Sequence, residues 1–147
     1  MIKQVLTTSL VSLGVGYLCN LVQSAGETHY LTSFLQQNLI TLLVALLAIN
    51  SATMGIVLTK IRDLIDKAGG GAECFNDTKA QMLLSIKEQI ALIVIAASLL
   101  TVGGSALVVA NEEMQSAFAI SLTAIFVYSM LNLYDSAKSV LIIIDYE

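Results

Sequence analysis

The chain has 147 residues, of which 56% are hydrophobic and 12% are charged. Because soluble domains carry about a quarter charged residues, this composition argues against an ordinary soluble domain. The net charge is −4 and no basic stripe is present, which argues against a nucleic-acid partner, and the two cysteines have no metal-ligand spacing.

Four long apolar runs predict an all-α integral membrane protein with four transmembrane helices in a single domain over residues 1–147. We place the spans at about 5–24, 36–59, 89–110 and 114–135, with a cytoplasmic helical hairpin at about 60–88. Proline is absent, which favours straight, continuous helices.

Small and polar residues recur every fourth position along the first span, at Thr8, Ser12, Gly16 and Asn20. Helices in lipid associate through small side chains that let their backbones approach, so this spacing predicts a helix-packing face. A short outer loop follows and contains Glu27 and the only histidine. One histidine without ligating neighbours predicts no metal site.

The second span carries a longer stripe of small residues, which we call the α2 seam: Thr41, Ala45, Ala48, Ala52, Gly55 and Thr59. Two interpretations remain open, packing within one four-helix bundle or a contact between subunits of a homo-oligomer. Asn50 and Thr53 lie off the seam in the same span. They are candidates for polar helix contacts or for pore-lining groups.

The helical pattern of the second span continues past the bilayer to residues 69–71, which are glycines. The third and fourth helices also exceed the length that a bilayer needs, so helices 2, 3 and 4 are expected to extend into the cytoplasm. The apolar side chains of this stalk include Leu64, Ile65 and Ile86. With the apolar tail at 140–144, they are candidates for docking a cytoplasmic protein partner.

The fourth span contains Asn132, a third candidate polar or pore contact, and begins with Glu112 and Glu113. Together with Glu27, these acids form a predicted outer rim without a permanent positive charge. In a ring of subunits, such a rim would concentrate cations at a pore mouth.

All basic side chains fall on one side of the membrane when the chain crosses it four times. They are Lys3, Lys60, Arg62, Lys67, Lys79, Lys87 and Lys138. The positive-inside rule then predicts a bacterial inner membrane protein with both termini in the cytoplasm.

The sequence contains no grouping typical of an active site, so we expect no enzyme activity and no cofactor. The serines in the spans have no base within reach along the sequence. The three glycines at 69–71 follow a helix and lack the Lys-Ser/Thr of a phosphate loop.

Three functions stay open: a homo-oligomeric channel-like or sensor module, a membrane anchor for a cytoplasmic partner, and a small-solute transporter. The layout of four spans with both termini inside resembles bacteriocin-immunity, phage-exclusion and phage-defence membrane subunits. That resemblance covers the whole chain but no motif, and it implies a role in antiviral defence or immunity.

Overall fold

The computed structural model describes the backbone of residues 2–68 and 76–144, which form helices joined by short turns. Their side chains are described apart from those of residues 2, 64, 65, 67, 68, 76–78, 106, 107 and 139–144. The helices are α1 Ile2–Ala25, α2 Tyr30–Ala68, α3 Asn76–Gly103, α4 Ala106–Val109 and α5 Glu112–Ile144. The predicted all-helical fold is confirmed.

Four of these helices are long and apolar enough to cross a membrane, as the sequence predicts. The candidate spans are Lys3–Ala25, Tyr30–Asp63, Lys79–Gly103 and Glu112–Lys138. A bilayer core of about 30 Å needs about 20 helical residues. The 39 residues of α2 therefore exceed what one crossing requires.

The third long helix ends at Gly103, seven residues before the predicted end at residue 110. Gly104 and Ser105 then form a turn that leads into the short α4. Two consecutive glycines weaken a helix at this point because glycine loses the most backbone freedom on becoming helical. The ring of Phe118 also lies against Gly103, where a β-carbon would clash with it.

The central element is α5, which packs against α1, α2 and α3. Half of its apolar window is buried inside the chain, compared with 11% for the windows of α1 and α3. The main apolar core lies between α2, α3 and α5. Its fully buried members are Leu35, Leu39, Leu43, Ala96 and Leu122.

Helices α1 and α3 run antiparallel to α5, whereas α2 runs parallel to it. The two ends of the bundle differ chemically. Gln4 Nε2 donates to Asp135 Oδ2 over 3.1 Å, joining the start of α1 to the later part of α5. Asn20 Nδ2 donates to Ser116 Oγ over 2.8 Å at the opposite end. We call the first the basic end, because all the lysines and the arginine lie towards it, and the second the acidic end.

Candidate functional site

Helix α2 has two opposite faces of different composition. One face buries Leu39, Asn50 and Val57 almost completely inside the chain. All six residues of the α2 seam lie on the other face and are exposed. A β-carbon added at Gly55 would have nothing within 4 Å. The α2 seam is therefore not used for packing among the described residues of its own chain.

The small residues of α1, in contrast, face α5 and are used for packing within the chain. Ser12 is 2% exposed, and Gly16 is buried. A β-carbon at Gly16 would lie 2.7 Å from the carbonyl oxygen of Ile120 and 3.3 Å from the amide nitrogen of Ala124. The absence of a side chain at Gly16 is what lets α1 approach the α5 backbone.

A chain of hydrogen-bonded side chains crosses the interior between α2, α3 and α5, and we call it the polar network. Its members are Asn50, Ser85, Gln89, Ser129, Asn132 and Ser136. Asn50 Nδ2 donates to Ser85 Oγ over 3.0 Å and to Gln89 Oε1 over 2.9 Å. Gln89 Nε2 then donates to Ser129 Oγ over 3.1 Å.

Asn132 completes the network by a paired contact with Ser85. The Ser85 hydroxyl donates to Asn132 Oδ1 over 2.5 Å, and Asn132 Nδ2 donates to the Ser85 carbonyl over 3.0 Å. Such bonds between membrane helices stabilise a bundle by about 0.6 to 2 kcal/mol each. Asn50 and Asn132 thus belong to one cross-linked interior, whereas their pore-lining role remains a prediction.

One acceptor of the network has no partner among the described atoms, the buried Asn50 Oδ1. An unsatisfied buried acceptor costs about 1 to 3 kcal/mol, so the network holds its helices together against an internal cost. Thr53 lies outside the network, and its hydroxyl donates to the carbonyl of Ile49 on its own helix.

Sequence reasoning did not single out Ser85, Gln89 and Ser129. The predicted hairpin placed residues 60–88 outside the membrane and put Gln89 at its boundary. A signal was nevertheless present, because polar residues at spacings of three and four share one face of a helix. Ser85 and Gln89 on α3 have this spacing, as do Ser129, Asn132 and Ser136 on α5.

The early end of α3 also places an acid inside a candidate span. Glu88 lies fifteen residues before Gly103, which is about 22 Å of helix, less than the core thickness of a bilayer, about 30 Å. Its Oε2 accepts a hydrogen bond from the hydroxyl of Tyr128 over 3.2 Å. Ionisable groups within membrane spans generally serve a function, since exposing a charge to lipid is unfavourable.

A half-open cavity of about 220 Å³ lies beside Glu88 towards the basic end. Side chains of α1, α2, α3 and α5 all line it, including Thr53 and Asn132. Two of the three predicted polar-contact residues, with Glu88 and Tyr128, therefore share one mixed polar and apolar space.

The three acids of the predicted rim all lie at the acidic end of the bundle and are exposed. Glu27 has a φ of 48°, in the left-handed region, where it ends α1 before the short turn to α2. Asn111 Oδ1 accepts from the amide of Glu113 over 2.9 Å and caps α5. Glu112 and Glu113 lie in the first turn of α5, where the helix dipole stabilises negative charge.

The stalk is described in part. Ile86 packs on the cluster formed by Met54, Val57, Ile61 and Met82, between α2 and α3. The side chains of residues 64 and 65 and of the apolar tail lie outside the described residues. Docking of a partner by Leu64, Ile65 and Ile86 remains a prediction.

Among the described residues, no group of three or more His, Cys, Asp or Glu side chains is arranged to hold a metal ion. Cys19 is a half-buried free thiol. The fold and these sites define an all-helical protein with four candidate membrane-spanning helices. No protein-family model, curated protein or solved structure matches the chain.

Proposed function

We propose that this chain is a non-enzymatic, multi-pass protein of the bacterial inner membrane, with its basic end in the cytoplasm. It self-associates through the α2 seam and acts as a sensor or channel-like module whose stalk docks a cytoplasmic partner. The layout resemblance described above favours a setting in phage defence or immunity.

The observation that carries this proposal is the exposure of the whole α2 seam. The seam extends from Thr41 to Thr59, about 27 Å along the helix. Large apolar side chains are the ordinary lipid-facing residues of α2, for example Val44 and Ile56, which are 50% and 65% exposed. A continuous stripe of small residues is instead typical of a surface on which another helix packs closely.

Self-association also gives the acidic rim a role. Glu27, Glu112 and Glu113 are exposed at the same end of the bundle. Repetition of this rim around a symmetry axis would lower the local electrostatic potential and attract cations, which supports a channel-like module over a simple anchor.

A second candidate is small-solute transport, and the structure contains features that favour it. The break at Gly104 and Ser105 interrupts the third apolar run. Glu88 lies within a candidate span and beside a cavity. Discontinuous helices and intramembrane carboxylates are typical of transporter sites.

Native mass measurement in detergent tests self-association directly. The wild-type chain is expected to give a mass of two or more copies, and Ala48→Leu combined with Ala52→Leu is expected to give monomers because the added side chains separate the helices. Ala91→Leu is the matched control, since Ala91 is also exposed but lies on α3. A monomeric wild-type mass across several mild detergents would refute the oligomeric proposal.

Measurement of ion flux distinguishes a channel-like module from a small-solute transporter and from a membrane anchor. Liposomes that contain the purified protein are expected to pass small cations, and the seam double variant is expected to abolish this conductance. Saturable uptake of a solute by the monomeric variant would favour the transporter instead. If no ions pass in any oligomeric state, the channel role is excluded.

A further inference from the structure

All four long helices line the cavity at the basic end. Its polar lining includes Gln4 and Thr8 of α1, Thr53 of α2, Ser85 and Glu88 of α3, and Asn132 and Asp135 of α5. The volume of about 220 Å³ is below the roughly 300 to 1,000 Å³ that is typical of drug-sized ligands. Its occupant should therefore be a small group.

The arrangement of α1 explains why the cavity exists. Helix α1 packs along α5, and its hydrogen bonds to α2 join Gln23 to Thr32 at the acidic end. A space is therefore left between the first half of α1 and the α2–α3 pair. Gln4 ties α1 to Asp135 at the edge of this space.

The charges around the cavity are of both signs. Glu88 and Asp135 contribute two carboxylates, and Lys138 contributes one ammonium group. The hydroxyl of Tyr128 donates to Glu88, which is a neutral contact. A carboxylate that is partly removed from water is strongly stabilised by a positive partner, so the site favours a ligand that brings its own cation.

The rest of the lining suits an anionic group and an apolar group in the same ligand. Lys138 supplies a charge for an anionic group such as a phosphate. Val5, Met54 and Val57 give the cavity an apolar side for methylene groups. In a bilayer, the basic end would place this cavity near the headgroups of one leaflet, since Glu88 lies about 22 Å from the far end of the span.

We propose that the cavity binds a small zwitterionic group that carries an ammonium and a phosphate, with Glu88 holding the ammonium and Lys138 the phosphate. Asp135 adds negative charge beside Glu88. The ethanolamine phosphate headgroup of a phospholipid has this chemistry, and so does free phosphorylethanolamine. The inference does not depend on self-association, because every lining residue comes from one chain.

Native mass spectrometry of the full chain in detergent tests the proposal. The protein is mixed with phosphatidylethanolamine or phosphatidylglycerol of identical acyl chains. Retention of the ethanolamine lipid is expected to be about tenfold stronger, which corresponds to about 1.4 kcal/mol. A parallel titration uses free phosphorylethanolamine and follows thermal stability. Stabilisation by the free compound without lipid preference would identify a soluble ligand.

The variants Glu88→Gln and Lys138→Gln should each lower this binding about tenfold, because each removes one charge from a charge-assisted contact. Glutamine at position 88 can still accept from Tyr128, so the fold should be retained. Glu112→Gln and Lys3→Gln are matched controls, as both charges lie outside the cavity lining. The controls should bind like the wild-type protein.

Equal retention of both lipids together with no response to phosphorylethanolamine would overturn the proposal. Unchanged binding by a folded Glu88→Gln protein would overturn it as well. The same mass spectra report the number of subunits. A monomer that retains the ethanolamine lipid would therefore refute the seam proposal while supporting the cavity.

Discussion

The first two long helices carry the same sequence signal and use it in different ways. Small residues recur along α1 from Thr8 to Asn20 and along α2 from Thr41 to Thr59. On α1 they contact α5, with Gly16 against the backbone, whereas on α2 they are exposed. Spacing therefore predicts that a face permits close approach, but it does not identify the helix that approaches.

The difference follows from what each helix offers on its other faces. Helix α2 has large apolar residues for the interior, among them Leu35, Leu39 and Leu43, which are fully buried. On the face that packs against α5, helix α1 instead has the small or polar residues Ser12, Gly16 and Asn20. The face with larger side chains buries more surface, so on α2 that face turns inward and the small residues are left outside.

The comparison is tested most strongly at the two glycines of α1. Gly16→Ala should destabilise the fold by about 1 to 3 kcal/mol, because the new β-carbon meets the α5 backbone, which has little freedom to move. Gly14→Ala is the control on the same helix, since a β-carbon there meets nothing within 4 Å. It should be neutral or stabilising, as alanine is the better helix former. Unfolding in mixed micelles of increasing dodecyl sulfate fraction measures both, and equal effects would contradict the packing.

The polar network gives the second largest effect. Gln89→Leu removes the acceptor of Asn50 and the donor to Ser129, and should lower the unfolding free energy by about 1 to 2 kcal/mol. Ser98→Ala is the control, since that hydroxyl bonds only within its own helix among the described residues. A stabilised Gln89→Leu protein would mean that the network is not an adhesive.

Seam substitutions should separate assembly from folding. Gly55→Leu adds a side chain at an exposed position with open space around it. The unfolding free energy of the isolated subunit should change by less than about 0.5 kcal/mol. Assembly, measured as oligomer mass in the same detergent, should be lost. If folding and assembly were lost together, the seam would be part of the subunit core.

A stabilising effect is expected at the turn between α1 and α2. Glu27 holds a φ of 48°, which glycine adopts without cost, so Glu27→Gly should stabilise the fold by about 1 kcal/mol. Glu27→Gln leaves the backbone preference nearly unchanged and is the control for charge. A loss of stability in Glu27→Gly, measured in the same micelle titration, would show that the glutamate side chain itself holds the turn.

Much of the fold follows from the sequence, because long apolar runs without proline favour long helices. The number of long helices and the placement of the basic residues at one end follow from apolar runs and charge positions. The end of α3 could not be predicted, since a membrane-spanning helix can continue through glycines such as Gly103 and Gly104. The ring of Phe118 lies against Gly103 at this point, a contact that only the folded bundle provides.

The candidate site could be predicted in part. Asn50 and Asn132 are conspicuous because amides are rare in apolar runs, but their common partner Ser85 is an ordinary residue in the first half of α3. The cavity could not be predicted. It arises because α1 packs mainly on α5, and the helix-to-helix arrangement is not contained in any single periodicity.

Disulfide crosslinking in native membranes tests the central claim most directly, that a second copy covers the outward face of α2. In a chain with Cys19 and Cys74 replaced by serine, cysteine is introduced at Ala48, Ala52 or, as a control on α3, Ala91. The account predicts covalent dimers for the two α2 positions and monomers for Ala91→Cys under mild oxidation. Monomers at all three positions, or dimers formed equally at all three, would contradict it.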